Sequence, residues 1–222
     1  MLTLYALPQS PFCAKVRGAL QVKGIEYEEQ EPHGGSYQTT DYQRIVAAGS
    51  IPAIQVEDWM LYDSQAIVEY LEEMYPDPSV WSEDPQQRAE QRALVNYHDS
   101  KLEPAVRNLV PLARQPDSSD REQHINIAKD QLFDRLFRLD KIIASDPIQN
   151  AKQLCVADWV FPPTIYMGLD ILEHMGHSLK LPNRVERWLQ NSMQQPIVEA
   201  EAGRVRGAIA QWLNQGIDRT NQ

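Results

Sequence analysis

Strand-like alternation ends at Pro76-Asp77-Pro78-Ser79 and does not return. Ahead of that proline-rich break, short apolar runs bounded by glycines and polar pairs trade places with helical patterns. Beyond it, strand signals nearly vanish and apolar residues recur at helical spacing. A chain divided in this way cannot build one sheet from end to end. It calls for a mixed α/β domain over residues 1–76, a linker over 77–84 and an all-helical domain over 85–222. A hydrophobic content of 42% supplies the apolar surface that a packed core needs.

The first domain reads as a strand (2–7), a helix (12–23), a strand (25–30), a weaker helix (37–48), a strand pair (53–56 and 60–62) and a last helix. The pair turns at Glu57-Asp58. The last helix opens at Asp63 and Ser64, runs through Ala66, Ile67, Tyr70 and Leu71, and stops before Pro76. Ala14, Val16, Ala19, Leu20 and Val22 give the first helix its apolar content, and Gly24 stands at its C-terminus. The order is βαβαββα, a βαβ unit followed by a hairpin and a covering helix. The right-handed crossover rule sets its first two strands side by side and parallel. In the second domain the patterns predict helices over 85–103, 121–144, 156–175 and 184–194, then a short helix and frayed end from 203. Ile125, Ala128, Leu132, Leu136, Leu139 and Ile143 form one stripe that must face a core. Pro104, Pro111 and Pro162-Pro163 are expected to interrupt or kink their helices.

A formal net charge of -10 repels phosphate backbones and argues against nucleic acid as a general partner. No apolar run is long enough to span a bilayer, so a membrane is not expected as a partner. The N-terminus enters a strand pattern with no basic flank, so no signal peptide is expected. Cys13 and Cys155 make no disulfide framework, and a reducing, cytoplasmic location is the expectation.

Four positions could carry chemistry. Ser10-Pro11-Phe12-Cys13 lies where the leading strand gives way to a helix. Unpaired N–H groups and the positive end of the helix dipole favour an anion there, a thiolate included. The sulfur could be that of Cys13 or of a bound thiol; the segment also reads simply as a cap, serine followed by proline. Ile51-Pro52 opens an apolar strand, a place that an ordinary trans proline also occupies. Asp63-Ser64 opens a helix whose N–H groups could hold a carboxylate, or be capped by these side chains. Cys155 and Asp158 have capping-box spacing, which makes Asp158 structural and Cys155 a small buried hydrophobe. The five histidines suggest no metal cluster; His174 and His177 lie three apart with no third ligand near them in sequence.

Taken together, the strand leading to Ser-Pro-Phe-Cys, the Gly-x-Ile-Pro strand, the hairpin, Asp-Ser and the helical remainder resemble the soluble glutathione transferase superfamily. The resemblance covers essentially the whole chain and implies a thioredoxin-like N-terminal domain with a helical C-terminal domain. The spacing of Ser10, Pro52 and Ser64 is similar to serine-type members such as the tau group and related bacterial proteins. By that resemblance Ser10 donates its hydroxyl to the glutathione sulfur, and the Ile51-Pro52 bond is cis. The Ile51 backbone pairs with the cysteinyl part, with Ser50 and Pro52 beside it in the glutathione-binding segment, and Asp63 and Ser64 hold the γ-glutamyl end. It further implies a homodimer, no bound metal or organic prosthetic group, and glutathione as co-substrate in conjugation to small apolar electrophiles. Leu7, Pro8, Tyr97, Lys101 and Pro104, with Trp159 and Phe161, would line the second-substrate cleft; core packing accounts for that set equally well.

The chain departs from the pattern in places. Lysines that neutralise the glycyl carboxylate in many serine-type relatives are replaced by Ser50 and by Tyr37 or a neighbour, a loss that would weaken binding, shift the task to His33 or backbone donors, or signal another ligand. Asp63 is shorter than the glutamate often found there, and Cys155 takes a cap position that usually holds Ser or Thr. Two other readings follow. Ser10-x-x-Cys13 looks like a glutaredoxin-type pair that lacks its first cysteine, which would make the protein a glutathione-dependent thiol oxidoreductase using Cys13. The missing lysines would suit a non-catalytic binding or regulatory protein on the same fold.

Overall fold

In a computed structural model, residues 1–145 and 154–218 are described. The chain forms two compact units, Met1–Trp81 and Ser82–Gln222.

The first unit is a four-stranded mixed sheet with helices. β1 (Leu2–Tyr5) leads into α1 (Pro11–Val22), then β2 (Tyr27–Gln30), a 3-10 turn (His33–Gly35), α2 (Thr40–Ile45), β3 (Ala53–Val56), β4 (Trp59–Tyr62) and α3 (Ser64–Met74). The strand order is β2-β1-β3-β4. β1 and β2 are parallel, as the crossover rule requires, while β1–β3 and β3–β4 are antiparallel. Leu4, Ala14, Val16, Leu20, Ile54, Ile67, Val68 and Leu71 are buried and form the core. Each large aliphatic side chain so enclosed contributes about 1.5–3 kcal/mol. Gly24 (φ +64) ends the turn after α1, and Glu57 (φ +54) bends the β3–β4 hairpin.

α2 is shorter than the 37–48 pattern predicts. Thr39 caps it by accepting the Tyr42 N–H at 3.3 Å, and only Tyr42 of its six residues is buried. So little apolar surface cannot sustain a longer helix.

Compact packing in this unit reaches past the proline break. The Lys23 side chain is fully enclosed and pairs with Glu72 at 2.7 Å. Its ammonium also donates to the carbonyls of Tyr75 (2.5 Å) and Pro78 (3.0 Å). Glu72 in turn accepts the Ser79 hydroxyl and the Val80 N–H, the latter at 3.1 Å. Residues 78–80 are thereby tied back onto α3.

The described residues of the second unit form helices and their connecting turns, with no strand among them. α4 (Pro85–Tyr97) passes through a π-helical turn (His98–Leu102) into α5 (Glu103–Arg107), followed by a 3-10 turn at Pro111–Arg114. The 85–103 pattern thus forms two helices joined by that turn, with Pro104 in the first turn of α5 where its missing N–H does little harm. α6 (Ser119–Ile142), α7 (Val156–His174), α8 (Asn183–Ser192) and α9 (Pro196–Asp218) complete the unit. The predicted stripe on α6 is buried from Ile125 to Ile143. α7 continues through Pro162 and Pro163, so of the two expected outcomes, interruption or a kink, interruption does not occur. Its start carries the predicted capping box, with Asp158 accepting the Cys155 N–H at 2.9 Å and the Trp188 indole N–H at 3.0 Å. α9 corrects the expectation of a short helix from 203: it begins at Pro196 and buries Val198, Ala202, Val205, Ile209 and Leu213 along one face. Among the described residues, no helix is long and apolar enough to cross a membrane.

Candidate functional site

The sheet register brings three of the predicted segments to one end of the first unit. Tyr5 at the end of β1 pairs with Ala53 at the start of β3, and Ala53 pairs with Tyr62 at the end of β4. The loops holding Leu7–Ser10, Ser50–Pro52 and Asp63–Ser64 therefore leave the same edge of the sheet. Gln30 also pairs with Tyr5, so the His33 turn starts from that edge as well.

Ser10 is the N-cap of α1, with extended backbone (φ -91, ψ 116), and Pro11 fills the first helical position. Its Oγ accepts the Cys13 N–H at 3.3 Å, and the residue is 8% exposed. The cap uses a lone pair and leaves the hydroxyl proton for another acceptor. Cys13 is fully buried. Burial pushes its thiol pKa up, and hydrogen bonding to Ser10 and Leu7 with the charge of Arg17 offsets only part of that. The thiol stays protonated. Arg17, also enclosed, pairs with Glu29 at 3.2 Å.

Ile51-Pro52 is a cis peptide, and so is Asp77-Pro78 in the proline-rich break, whose cis form the sequence did not suggest. Pro52 is buried, and Ser50 and Ile51 are half-buried. The Ser50 carbonyl accepts the Tyr42 hydroxyl at 3.0 Å. Asp63 caps α3, its Oδ1 accepting the N–H groups of Gln65 (3.0 Å) and Ala66 (2.9 Å). It has φ +75, a left-handed conformation costly for a side chain of this kind. Ser64 follows, buried at the first helical position. Tyr37 packs on the Tyr5–Tyr42 cluster, and the exposed His33 lies edge-on to Tyr5 with ring centroids 5.9 Å apart.

A matching family model and one long relative decide the family. The glutathione S-transferase N-terminal domain matches residues 4–79. Mouse maleylacetoacetate isomerase is 31% identical over 161 residues, covering 71% of this chain and 70% of the mouse protein. The chain belongs to the glutathione S-transferase superfamily. A maleylacetoacetate isomerase from Pseudomonas aeruginosa is 37% identical over 99 residues, a match spanning 42% of this chain and 47% of that relative. The tau-class glutathione S-transferase of mango superposes with a TM-score of 0.75 at 20% identity, covering 96% of this chain and 98% of its own. The theta-class glutathione S-transferase of Xanthomonas axonopodis pv. citri, solved with glutathione bound, gives 0.72 at 21% identity, covering 90% and 96%. At those identities the two structures speak for the fold alone.

The remaining predicted residues are split between the two units. Leu7 and Pro8 are half-buried in the loop after β1. Tyr97 ends α4, its hydroxyl donating to the Arg135 carbonyl at 2.8 Å, while Lys101 and Pro104 are exposed on the following turns. Trp159 and Phe161 are fully enclosed within the helical unit, which selects the core-packing alternative for these two, with Phe161 packed against His98 and Trp188. Among the described residues no group of three or more His, Cys, Asp or Glu is placed to hold a metal ion. Tyr42 escaped the sequence reading. Its only signal is a lone aromatic among Asp41, Gln43 and Arg44.

Proposed function

We propose that this chain is a serine-type glutathione transferase that conjugates glutathione to small apolar electrophiles, with Ser10 as the thiolate stabiliser. The observation that carries the reading is the convergence of Ser10, Ser50–Pro52 and Asp63–Ser64 on one sheet edge, with Ser10 at the N-terminus of α1. A free thiol has a pKa of about 8.5. A hydroxyl donor and a helix N-terminus both favour its anion, and each unit of lowering is worth about 1.4 kcal/mol. The proton leaves to solvent. The thiolate attacks the electrophilic carbon and forms a C–S bond while the leaving group departs with its electron pair, a halide in the case of an aryl halide. Ser10 itself makes no covalent bond. The γ-glutamyl end would lie at Asp63 and Ser64, where Ser64 begins a helix. Glutathione is a co-substrate in this scheme, and the protein acts as a cytoplasmic homodimer.

A second reading of the same site is favoured by the relatives named maleylacetoacetate isomerase. A thiolate that adds to one carbon of a cis double bond and is later expelled restores the alkene after rotation, with glutathione unchanged. Cys13 is disfavoured as a nucleophile because its thiol is enclosed and protonated. The deciding experiment is calorimetry with glutathione, followed by an aryl-halide assay and a cis-to-trans assay on a maleyl substrate. Saturable binding with aryl-halide turnover supports conjugation. Binding with isomerisation alone selects the second reading, and no binding at millimolar glutathione leaves a non-catalytic protein.

A further inference from the structure

Tyr42 has a position more specific than core packing demands. It is the one buried residue of α2 and lies among Tyr5, Val46 and Ala53, edge-on to Tyr5 at 5.8 Å between ring centroids. A phenylalanine would fill that space equally well. What the phenol adds is a single hydrogen bond, from its hydroxyl to the Ser50 carbonyl at 3.0 Å. The Ser50–Ile51 peptide is trans and planar, so its C=O and N–H point in opposite directions. Pinning the oxygen therefore fixes the direction of the Ile51 N–H, which has no hydrogen-bond partner among the described residues. The connecting segment is short and tied to the same residue, since the Val46 N–H donates to the Tyr42 carbonyl (2.9 Å) and the Gly49 N–H to Val46 (2.8 Å).

We infer that Tyr42 is a positioning residue: its hydroxyl holds the Ser50–Ile51 peptide plane so that the Ile51 N–H is aimed in advance at the main chain of bound glutathione. The inference rests on the glutathione reading proposed above. A donor fixed before binding does not have to be ordered by the ligand, and that saving appears as affinity. Without the hydroxyl the ring still packs, but the peptide plane can rock, and the ligand must still it again.

The test compares wild type with Tyr42→Phe and Tyr42→Leu. In the ligand-free proteins, Tyr42→Phe should shift the Ser50 carbonyl-carbon and Ile51 amide resonances and leave those of the α1 core in place. Its Kd and KM for glutathione should rise about three- to tenfold, the cost of re-ordering a peptide plane that the hydroxyl had held, with kcat at saturating glutathione within about twofold of wild type. Tyr42→Leu, which also removes the ring, should lower Tm by clearly more than the few degrees that loss of one hydrogen bond costs Tyr42→Phe. Unshifted Ser50 and Ile51 resonances, or an unchanged Kd in Tyr42→Phe, overturn the inference and leave the glutathione reading standing. A wild type that binds no glutathione overturns the reading and the inference together.

Discussion

Replacing Ser10 separates a structural task from a chemical one. Its Oγ is the cap acceptor of α1, taking the Cys13 N–H at 3.3 Å in a setting only 8% exposed. Loss of a cap to alanine costs about 1 kcal/mol, whereas glycine at the same position loses only a few tenths. For a protein of this size 1 kcal/mol corresponds to about 2–4 °C in Tm. The chemical task is a hydrogen bond to a sulfur anion, worth about 1.5–3 kcal/mol. At 1.4 kcal/mol per decade that is roughly a 10- to 150-fold loss of turnover. Ser10→Ala should therefore lose both, and Ser10→Gly should lose turnover to a similar degree while melting close to wild type. The assay is aryl-halide conjugation at saturating glutathione, run below the melting range, with calorimetric Tm values for all three proteins. Near-native turnover in Ser10→Gly would refute the reasoning. So would a turnover loss that tracks Tm across the two variants.

Three further outcomes follow from the geometry. Burial raises the Glu72 carboxyl pKa, but Lys23 and the hydrogen bonds from Ser79 and Val80 together bring it below its ordinary value. Its stabilisation is thus full above the ordinary carboxylate range and lost as the pH falls through the depressed value; thermal melts should show acid sensitivity that Glu72→Gln blunts, and identical pH profiles would contradict this. Cys13 and Cys155 are both buried with raised pKa values, so a thiol reagent such as a mixed aromatic disulfide should label neither until denaturant is added; rapid native labelling of Cys13 would restore the oxidoreductase reading. Phe133 and Phe137 stack on the outer face of α6 and are 46% and 45% exposed. If that face is covered in the proposed homodimer, Phe133→Glu with Phe137→Glu should halve the mass in light scattering, and an unchanged mass would place the contact elsewhere.

Much of the first unit was legible because its signals are local. Gly24 and Gly49 punctuate it, Ser10 and Asp63 stand as caps, and the crossover rule admits one pairing for the first two strands. The capping box at Cys155 and Asp158 was legible for the same reason. The misses are tertiary. α9 was missed from Pro196 to Ala202, although proline suits a first helical position; Gly203 and Gly207 interrupt the pattern further on, and burial against α7 carries the helix through them. Pro162 and Pro163 sit inside α7, whose buried surroundings hold the helix despite two missing donors. Lys23 reads as a surface residue at a helix end, yet it is enclosed because Glu72, Tyr75 and Pro78 converge on it from more than forty residues away. Trp159 and Phe161 look alike as cleft or core in sequence, and only burial distinguishes the two. Tyr42 leaves almost no trace in the sequence, because its partner is a backbone carbonyl.

The most direct test of the account is a pH titration of the thiolate ultraviolet absorbance of glutathione bound to the wild-type protein. The predicted result is a bound thiol that ionises at least about one unit below its free value of about 8.5, returning toward that value in Ser10→Ala. A bound thiol that titrates like free glutathione in both proteins would contradict a thiolate held by Ser10 at the start of α1.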